Sequence, residues 1–256
     1  MSFNPKKISD IALSGIKVAL FGDSGVGKTY QIRTLKRPFV VSAEKGLLTL
    51  AKYDEVADVS YGEIKSMADL KECRIWLQNN PDEYDTIVLD SVSEIAEICL
   101  SEAKKSNKDS RKAYGDMMDI VMEEIKAFLN IEGKDMVFIF QNGRIEDSDS
   151  GKVLYSPITP SSKFAAKMPY LFDEVLAVRA RPIKDEQGNT QIDRFIQCQN
   201  DGVWNCKDRS GYLYIEENAD LGSLLRIIHN KGVDPEAPAP APAEEEDEYG
   251  ESDTDY

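Results

Sequence analysis

The chain has 256 residues, a formal net charge of −15 and a single histidine. That length holds one sizeable α/β domain or two small ones, and the charge excludes a broadly basic nucleic-acid surface, leaving only local patches. No run of eighteen apolar residues occurs, the start Met1-Ser2-Phe3-Asn4-Pro5-Lys6-Lys7 lacks the apolar stretch of a secretory signal, and the four cysteines form no C-x-x-C pair; a soluble, cytoplasmic chain with no membrane partner, no zinc and reduced thiols is expected.

Residues 1–15 read as a lead-in without a clear period. The alternating apolar run Ile16 to Phe21 predicts a strand, and Gly22-Asp23-Ser24-Gly25-Val26-Gly27-Lys28-Thr29 follows at once, a complete G-x-x-x-x-G-K-[ST]. Glycines let the backbone turn and aim successive N–H groups at phosphate oxygens, Lys28 adds a point charge, and the Thr29 hydroxyl suits Mg²⁺. With Tyr30 these residues are the candidate ATP-binding stretch. A helix from Lys28 to about Leu35 breaks at Arg37-Pro38. Phe39-Val40-Val41 predicts a strand ending at Ser42-Ala43-Glu44, and Asp58 to Tyr61 a further one. Ala68 to Gln78 has the apolar spacing of an amphipathic helix stopped by Asn79-Asn80-Pro81.

Thr86-Ile87-Val88-Leu89-Asp90 is a continuous apolar run closing on an acid, as in a strand buried on both faces of a parallel sheet. An acid there can hold Mg²⁺ beside Thr29 or cap the next helix, and the Asp90-Ser91 pair can do both. A helix from Ser91 to about Leu100 leads into a polar segment, Ser101 to Lys112, with five basic and two acidic residues. A second helix, Tyr114 to about Asn130, carries an apolar stripe of core type. Met136 to Gln141 is a buried strand, and Gly143 to Ser156 a polar excursion or hairpin. Strands Val175 to Val178 and Asp193 to Gln197 flank a turn-rich linker, and a last helix, Leu221 to His229, stops at Asn230-Lys231-Gly232. From Lys231 onward ten acids face one lysine, a net of −9 that leaves −6 for the rest. The Ala-Pro alternation and acid block there predict a domain over 1–232 and a stiff linker with a disordered tail over 233–256. The tail keeps the chain soluble or competes with DNA for basic segments.

Strands alternating with helices after a P-loop predict a doubly wound, mostly parallel α/β sheet with helices on both faces and antiparallel strands toward the C-terminal side, nucleotide binding at the strand carboxyl ends. Thr86 to Val92 resembles the corresponding strand of RecA-type recombinases, whose aspartate is followed by serine. Three further segments match in chain order. Ser42-Ala43-Glu44 resembles the segment whose glutamate activates water, Phe138 to Asn142 the strand end whose glutamine senses the γ-phosphate, and Lys207-Asp208-Arg209-Ser210-Gly211 the K-x-R-x-G of DnaB-type helicases and RadA. The closest likeness is to the phage RecA-like ATPases of the Sak single-strand annealing group, carried also by Tyr84-Asp85 and Tyr114-Gly115.

The resemblance implies catalytic roles for Glu44, Lys28 and Gln141, metal holding by Thr29 and Asp90, and trans-acting fingers at Lys207 and Arg209 in a homo-oligomer, ring or short filament. It implies ATP and Mg²⁺ as cofactors, single-stranded DNA as partner, and a single-strand-binding protein as a further one. DNA contacts are expected on Lys104, Lys105, Lys108, Arg111 and Lys112 and on Arg144, Lys152 and Lys163, with Tyr114 and Tyr155 as stacking aromatics. A charged solvated surface is the plain alternative for each basic run. The expected function is a Mg²⁺-dependent ATPase promoting annealing or recombination in phage DNA metabolism, in the host cytoplasm if phage-encoded. The alternatives are a P-loop kinase for a small metabolite and a nucleotide switch resembling a helicase loader.

Overall fold

The computed structural model describes Pro5, Lys7 and residues 15–107, 109–146, 151–158 and 168–236. The strands in chain order are β1 (Lys17–Phe21), β2 (Pro38–Ser42), β3 (Tyr61–Glu63), β4 (Thr86–Asp90), β5 (Asp135–Ile139), β6 (Asn142–Glu146), β7 (Val153–Pro157), β8 (Glu174–Lys184), β9 (Thr190–Gln197), β10 (Lys207–Asp208) and β11 (Glu216–Asn218). The α-helices are α1 (Met67–Asn79), α2 (Val92–Ser106), α3 (Ser110–Leu129) and α4 (Leu221–His229). One sheet runs β11-β9-β8-β1-β5-β4-β2-β3 with β10 pairing β8, and β6 with β7 forms a separate hairpin.

From β8 through β1, β5, β4 and β2 to β3 every pairing is parallel, while β9 and β10 on β8 and β11 on β9 are antiparallel. Side chains of the central strands alternate between two cores, as strand periodicity requires. Ile87 and Leu89 join Phe21, Phe138 and the apolar faces of α1, α2 and α3. Val88 joins Leu20, Val137 and Ile32, with Leu221, Leu224 and Leu225 of α4, on the other face. This is the predicted doubly wound α/β sheet with antiparallel strands on its C-terminal side.

Several boundaries differ from expectation. The segment after the P-loop is a 3-10 helix, Thr29–Thr34, and β3 starts at Tyr61 rather than Asp58. The polar segment from Ser101 to Lys112, expected to follow a helix ending near Leu100, is mostly helix, because Ala96, Cys99, Leu100 and Ala103 continue one buried stripe of α2. Lys104 and Lys105 fall in its last turn, where cations suit the helix dipole, and Asp109 caps α3 by accepting from the Arg111 amide at 2.9 Å. The β8–β9 hairpin is longer than the apolar pattern predicts, since its outer half is exposed and carries no hydrophobic alternation. Its turn is closed by the Asp185 carboxylate, which accepts from the Gln187 and Asn189 amides.

Helix α4 starts on the P-loop helix itself. The Leu221 amide donates to the buried Gln31 Oε1 at 3.0 Å and the Gly222 amide to Thr34 Oγ1 at 2.9 Å. A Cβ on Gly222 would stand 1.8 Å from the Thr34 carbonyl oxygen, so only glycine permits that approach. Contacts continue past Gly232, where Asp234 accepts from Arg226 Nε at 2.9 Å and from Ser223 Oγ at 2.6 Å. Lys108, Lys163 and the acidic residues from Glu244 onward lie outside the described residues. Among the described residues no helix is long and apolar enough to cross a membrane.

Candidate active site at the P-loop

β1 ends at Phe21, and the loop that follows holds its glycines in backbone conformations that side chains resist, Gly22 at φ +154, Gly25 at +74 and Gly27 at +109. A Cβ on Gly22 would also meet the Val178 carbonyl oxygen at 2.5 Å, so β8 presses directly on the loop. Lys28 Nζ donates to the carbonyl oxygens of Gly22 and Asp23, each at 2.9 Å. Burial lowers the Lys28 pKa, opposed by the carboxylates of Glu44, Asp90 and Asp23. A cleft of about 600 Å³ opens over the loop and is bordered by Lys28, Thr29, Glu44, Asp90 and Gln141. Tyr30 lines it too, with the Arg33 guanidinium 4.6 Å above its ring and Tyr53 edge-on at 5.4 Å.

β5 separates β1 from β4 in the sheet, yet the loop carries Thr29 across, and its hydroxyl donates to Asp90 Oδ2 at 2.9 Å. Asp90 is 2% exposed. Burial raises its pKa to about 6, the Thr29 hydrogen bond opposes this, the nearby Glu44 carboxylate adds to it and Lys28 opposes it. The two roles foreseen for Asp90-Ser91 are divided: Asp90 holds Thr29, while Ser91 caps α2 by accepting from the Glu94 amide at 3.3 Å. Ser91 Oγ also donates to Glu44 Oε1. The Ala43 and Glu44 amides donate to the Asp90 carbonyl at 2.8 and 3.2 Å, so the ends of β2 and β4 are tied together and both carboxylates face one cleft.

Hard oxygen donors of this kind fit Mg²⁺, which takes one or two protein ligands and completes its shell with phosphate oxygens and water. Thr29 and Asp90 are the residues that would hold it. Among the described residues no group of three or more His, Cys, Asp or Glu side chains could enclose an ion alone.

Gln141 follows β5 at the cleft rim, its amide donating to Ser93 Oγ at 3.1 Å. Asn142 Nδ2 donates to Asp23 Oδ1 at 2.8 Å, joining the P-loop to the first residue of the β6–β7 hairpin. Arg194 of β9 donates its Nε to the Val26 carbonyl at 3.2 Å. Ser93 and Arg194 escape the sequence reading, which foresees Ser91 as a helix cap but not as a partner of Glu44, and Asn142 as part of a strand end but not as a partner of Asp23. Ser91 and Asn142 adjoin flagged residues, but Ser93 and Arg194 become visible only once helix and strand placement are known.

Lys207 and Arg209 sit elsewhere. β10 pairs with the start of β8, whose partners in β1 are Val18 and Ala19, and the Asp173 amide donates to the Lys17 carbonyl. Arg209 is thus level with Lys17, about 13 Å along β1 from the P-loop end. Lys207 Nζ donates to the Pro169 and Phe172 carbonyls, and Arg209 pairs with Asp173 at 2.7 Å. Neither reaches this chain's own cleft. Lys104, Lys105, Arg111 and Lys112 are exposed on the facing ends of α2 and α3, and Arg144 and Lys152 are exposed on the β6–β7 hairpin side. Tyr155 is stacked on Trp204, with centroids 4.6 Å apart.

Comparison with known proteins gives three findings. The AAA domain family matches residues 14–210. The SPbeta prophage-derived uncharacterized protein YorG of Bacillus subtilis (strain 168) is 29% identical over 151 residues, which are 54% of this chain and 44% of that protein. The crystal structure of the RadB recombinase is similar over 77% of this chain and 91% of that one, with 11% identity and a TM-score of 0.41.

Proposed function

The chain belongs to the AAA domain family, and from that premise we propose that it is a Mg²⁺-dependent ATPase that binds single-stranded DNA as a homo-oligomer and promotes annealing or recombination in phage DNA metabolism, as the Sak-type group does. The observation that carries the hydrolytic part is the meeting of Lys28, Thr29, Asp90 and Glu44 in one cleft. The DNA part is supported by the RecA-like order of motifs, the exposed basic residues and the prophage-derived relative.

The P-loop amides and Lys28 bind the β- and γ-phosphates, the ammonium exchanging its hold on the loop carbonyls for phosphate oxygens. Thr29 and Asp90 would hold Mg²⁺, which when bound would neutralise charge on the phosphates. Glu44 is the general base: Ser91 fixes one carboxylate oxygen, leaving the other to accept a proton from the attacking water. Gln141 reads the γ-phosphate at the rim.

Phosphate release by the full chain with ATP and Mg²⁺, measured with and without single-stranded DNA, tests the reading. A phosphorylated acceptor in place of free phosphate would point to the kinase. Glu44→Gln is expected to lower kcat by about 100-fold or more while ATP binding stays within a few-fold; unchanged turnover removes Glu44 from the mechanism.

A further inference from the structure

β9 extends past the core it helps to build. Ile196 and Cys198 are fully buried on the face of the sheet that carries α4 and the P-loop helix, and Ile196 pairs with Val178 of β8. A strand returns to the same face every second residue, so Arg194, opposite Ala180, projects from that face one step beyond the core. There it meets the P-loop. Arg194 Nε donates to the Val26 carbonyl at 3.2 Å, and a Cβ on Gly27 would stand 3.7 Å from Arg194 Cδ and 3.8 Å from Tyr30 Cβ, so the arginine stem lies along the loop. With the Val178 carbonyl against Gly22, the β8–β9 hairpin backs the P-loop both at its start and at its middle.

The arginines of the hairpin are placed differently. Arg181 pairs with Asp193 and Glu216 at 3.0 and 2.7 Å, and Arg179 donates to Gln197 with Asp201 at 4.0 Å. Arg194 is exposed and, among the described residues, pairs with no carboxylate; its partner is the backbone of the P-loop. The Val26 carbonyl and the Gly27 amide belong to one planar trans peptide and point in opposite directions. Val26 is buried and does not border the nucleotide cleft, whereas Gly27 does. Holding the Val26 oxygen on the β9 side therefore turns the Gly27 N–H toward the cleft. Gly27 sits at φ +109, and a glycine has no side chain to hold such a conformation by itself. A cationic donor on the carbonyl also polarises the peptide and strengthens its N–H as a donor.

We propose that Arg194 is a positioning residue of the nucleotide site, which clamps the Val26 to Gly27 peptide and so pre-sets the Gly27 N–H for a phosphate oxygen. The proposal rests on the reading of the cleft as a nucleoside triphosphate site and adds to it a residue that no motif of the chain marks. Arg194 acts through the loop and not on the phosphate. Its effect is therefore on binding, in place before nucleotide arrives, and alike for ATP and ADP, whose shared phosphates the same loop cradles. β9, an antiparallel strand outside the parallel part of the sheet, becomes part of the phosphate cradle.

Calorimetric titration of the full chain with ATP and with ADP in the presence of Mg²⁺, alongside steady-state phosphate release, tests it. Arg194→Gln is expected to weaken both nucleotides about ten-fold and to raise KM to match, with kcat kept within about two-fold. Arg194→Lys, which can still donate to the carbonyl, should recover most of the affinity. Without nucleotide the Tm of Arg194→Gln should barely move, because the side chain is exposed, while the rise in Tm on adding ADP and Mg²⁺ should shrink. Arg181→Gln breaks ion pairs on the hairpin's other face and should leave nucleotide affinity unchanged. If the unaltered chain binds ATP and Arg194→Gln binds it equally well, or if Arg181→Gln weakens it as much, Arg194 does not position the loop and the nucleotide reading stands. If the unaltered chain binds neither nucleotide, that reading falls and the role of Arg194 falls with it.

Discussion

Ser91 shows how much one side chain can serve here. Its hydroxyl donates to the Glu44 carboxylate and accepts from the Glu94 amide, so the residue that starts α2 also orients the proposed base. Ser91→Ala should therefore cost about 1 kcal/mol of stability through the lost cap and lower kcat more than it raises KM. Thermal melts and steady-state kinetics on the same preparation separate the two effects. Asp90 carries a second prediction. With its pKa raised to about 6 by burial and by Glu44, the carboxyl is protonated below that pH and cannot serve a cation. Mg²⁺-supported nucleotide binding should weaken as pH falls through 6, and an Asp90→Asn variant should be weak throughout, with no such inflection; titrations at graded pH would expose a mistaken assignment.

Among the elements, α4 takes its position from a close approach at a single residue, Gly222. Adding a methyl to Gly222 forces its helix off the Thr34 carbonyl and separates the Leu221 amide from Gln31. Gly222→Ala should lose about 1 to 3 kcal/mol, a fall of several degrees in Tm for a chain of this size, and should weaken nucleotide binding through the displaced P-loop helix. Gly211→Ala, at a glycine with φ +73 and no atom within 4 Å of the added Cβ, should strain only its own turn and leave nucleotide binding intact. The contrast reflects what the residue pattern could reveal. The P-loop, Asp90, Glu44 and Gln141 were legible because each is local: a contiguous motif, or a polar residue at the end of an apolar strand. The docking of α4, the reach of Arg194 onto Val26 and the stacking of Tyr155 on Trp204 depend on which distant strands pair and in what register, and no local spacing encodes that. The end of α2 lies past the expected Leu100 for a different reason: five basic and two acidic residues over Ser101 to Lys112 mask the buried stripe that runs on to Ala103.

At the scale of the whole molecule, two buried or half-buried groups bias stability in the same direction. Burial and the neighbouring Asp208 push the Glu174 carboxyl from 4.5 up to about 8, and its Oε2 has no partner among the described residues. The hydrogen bond and charge of Asp135 raise His229 from 6.5. A folded-state pKa above the unfolded value means the native chain holds its proton more tightly, so each contribution is complete below the unfolded value and is lost as pH rises through the folded one. Stability from these groups should therefore decline from about pH 4.5 to about pH 8 for Glu174, and from about 6.5 upward for His229. Glu174→Gln, neutral at every pH, should flatten the alkaline part of that decline; denaturant midpoints at pH 7 and 9 that shift equally in both proteins would rule this out.

The position of β1 has a consequence for how the protein is made. Lys17 pairs with Met136 and Val18 with Glu174, so both neighbours of the strand that carries the P-loop are encoded more than 100 residues later. A ribosome delivers the phosphate-binding motif first and its supports last, and α4, which props the P-loop helix, emerges after all of them. Nucleotide therefore cannot template early folding of the nascent chain. The site is completed only when most of the polypeptide has left the exit tunnel, and a message truncated before Leu221 would yield a product that keeps the motif intact but lacks the prop beneath it.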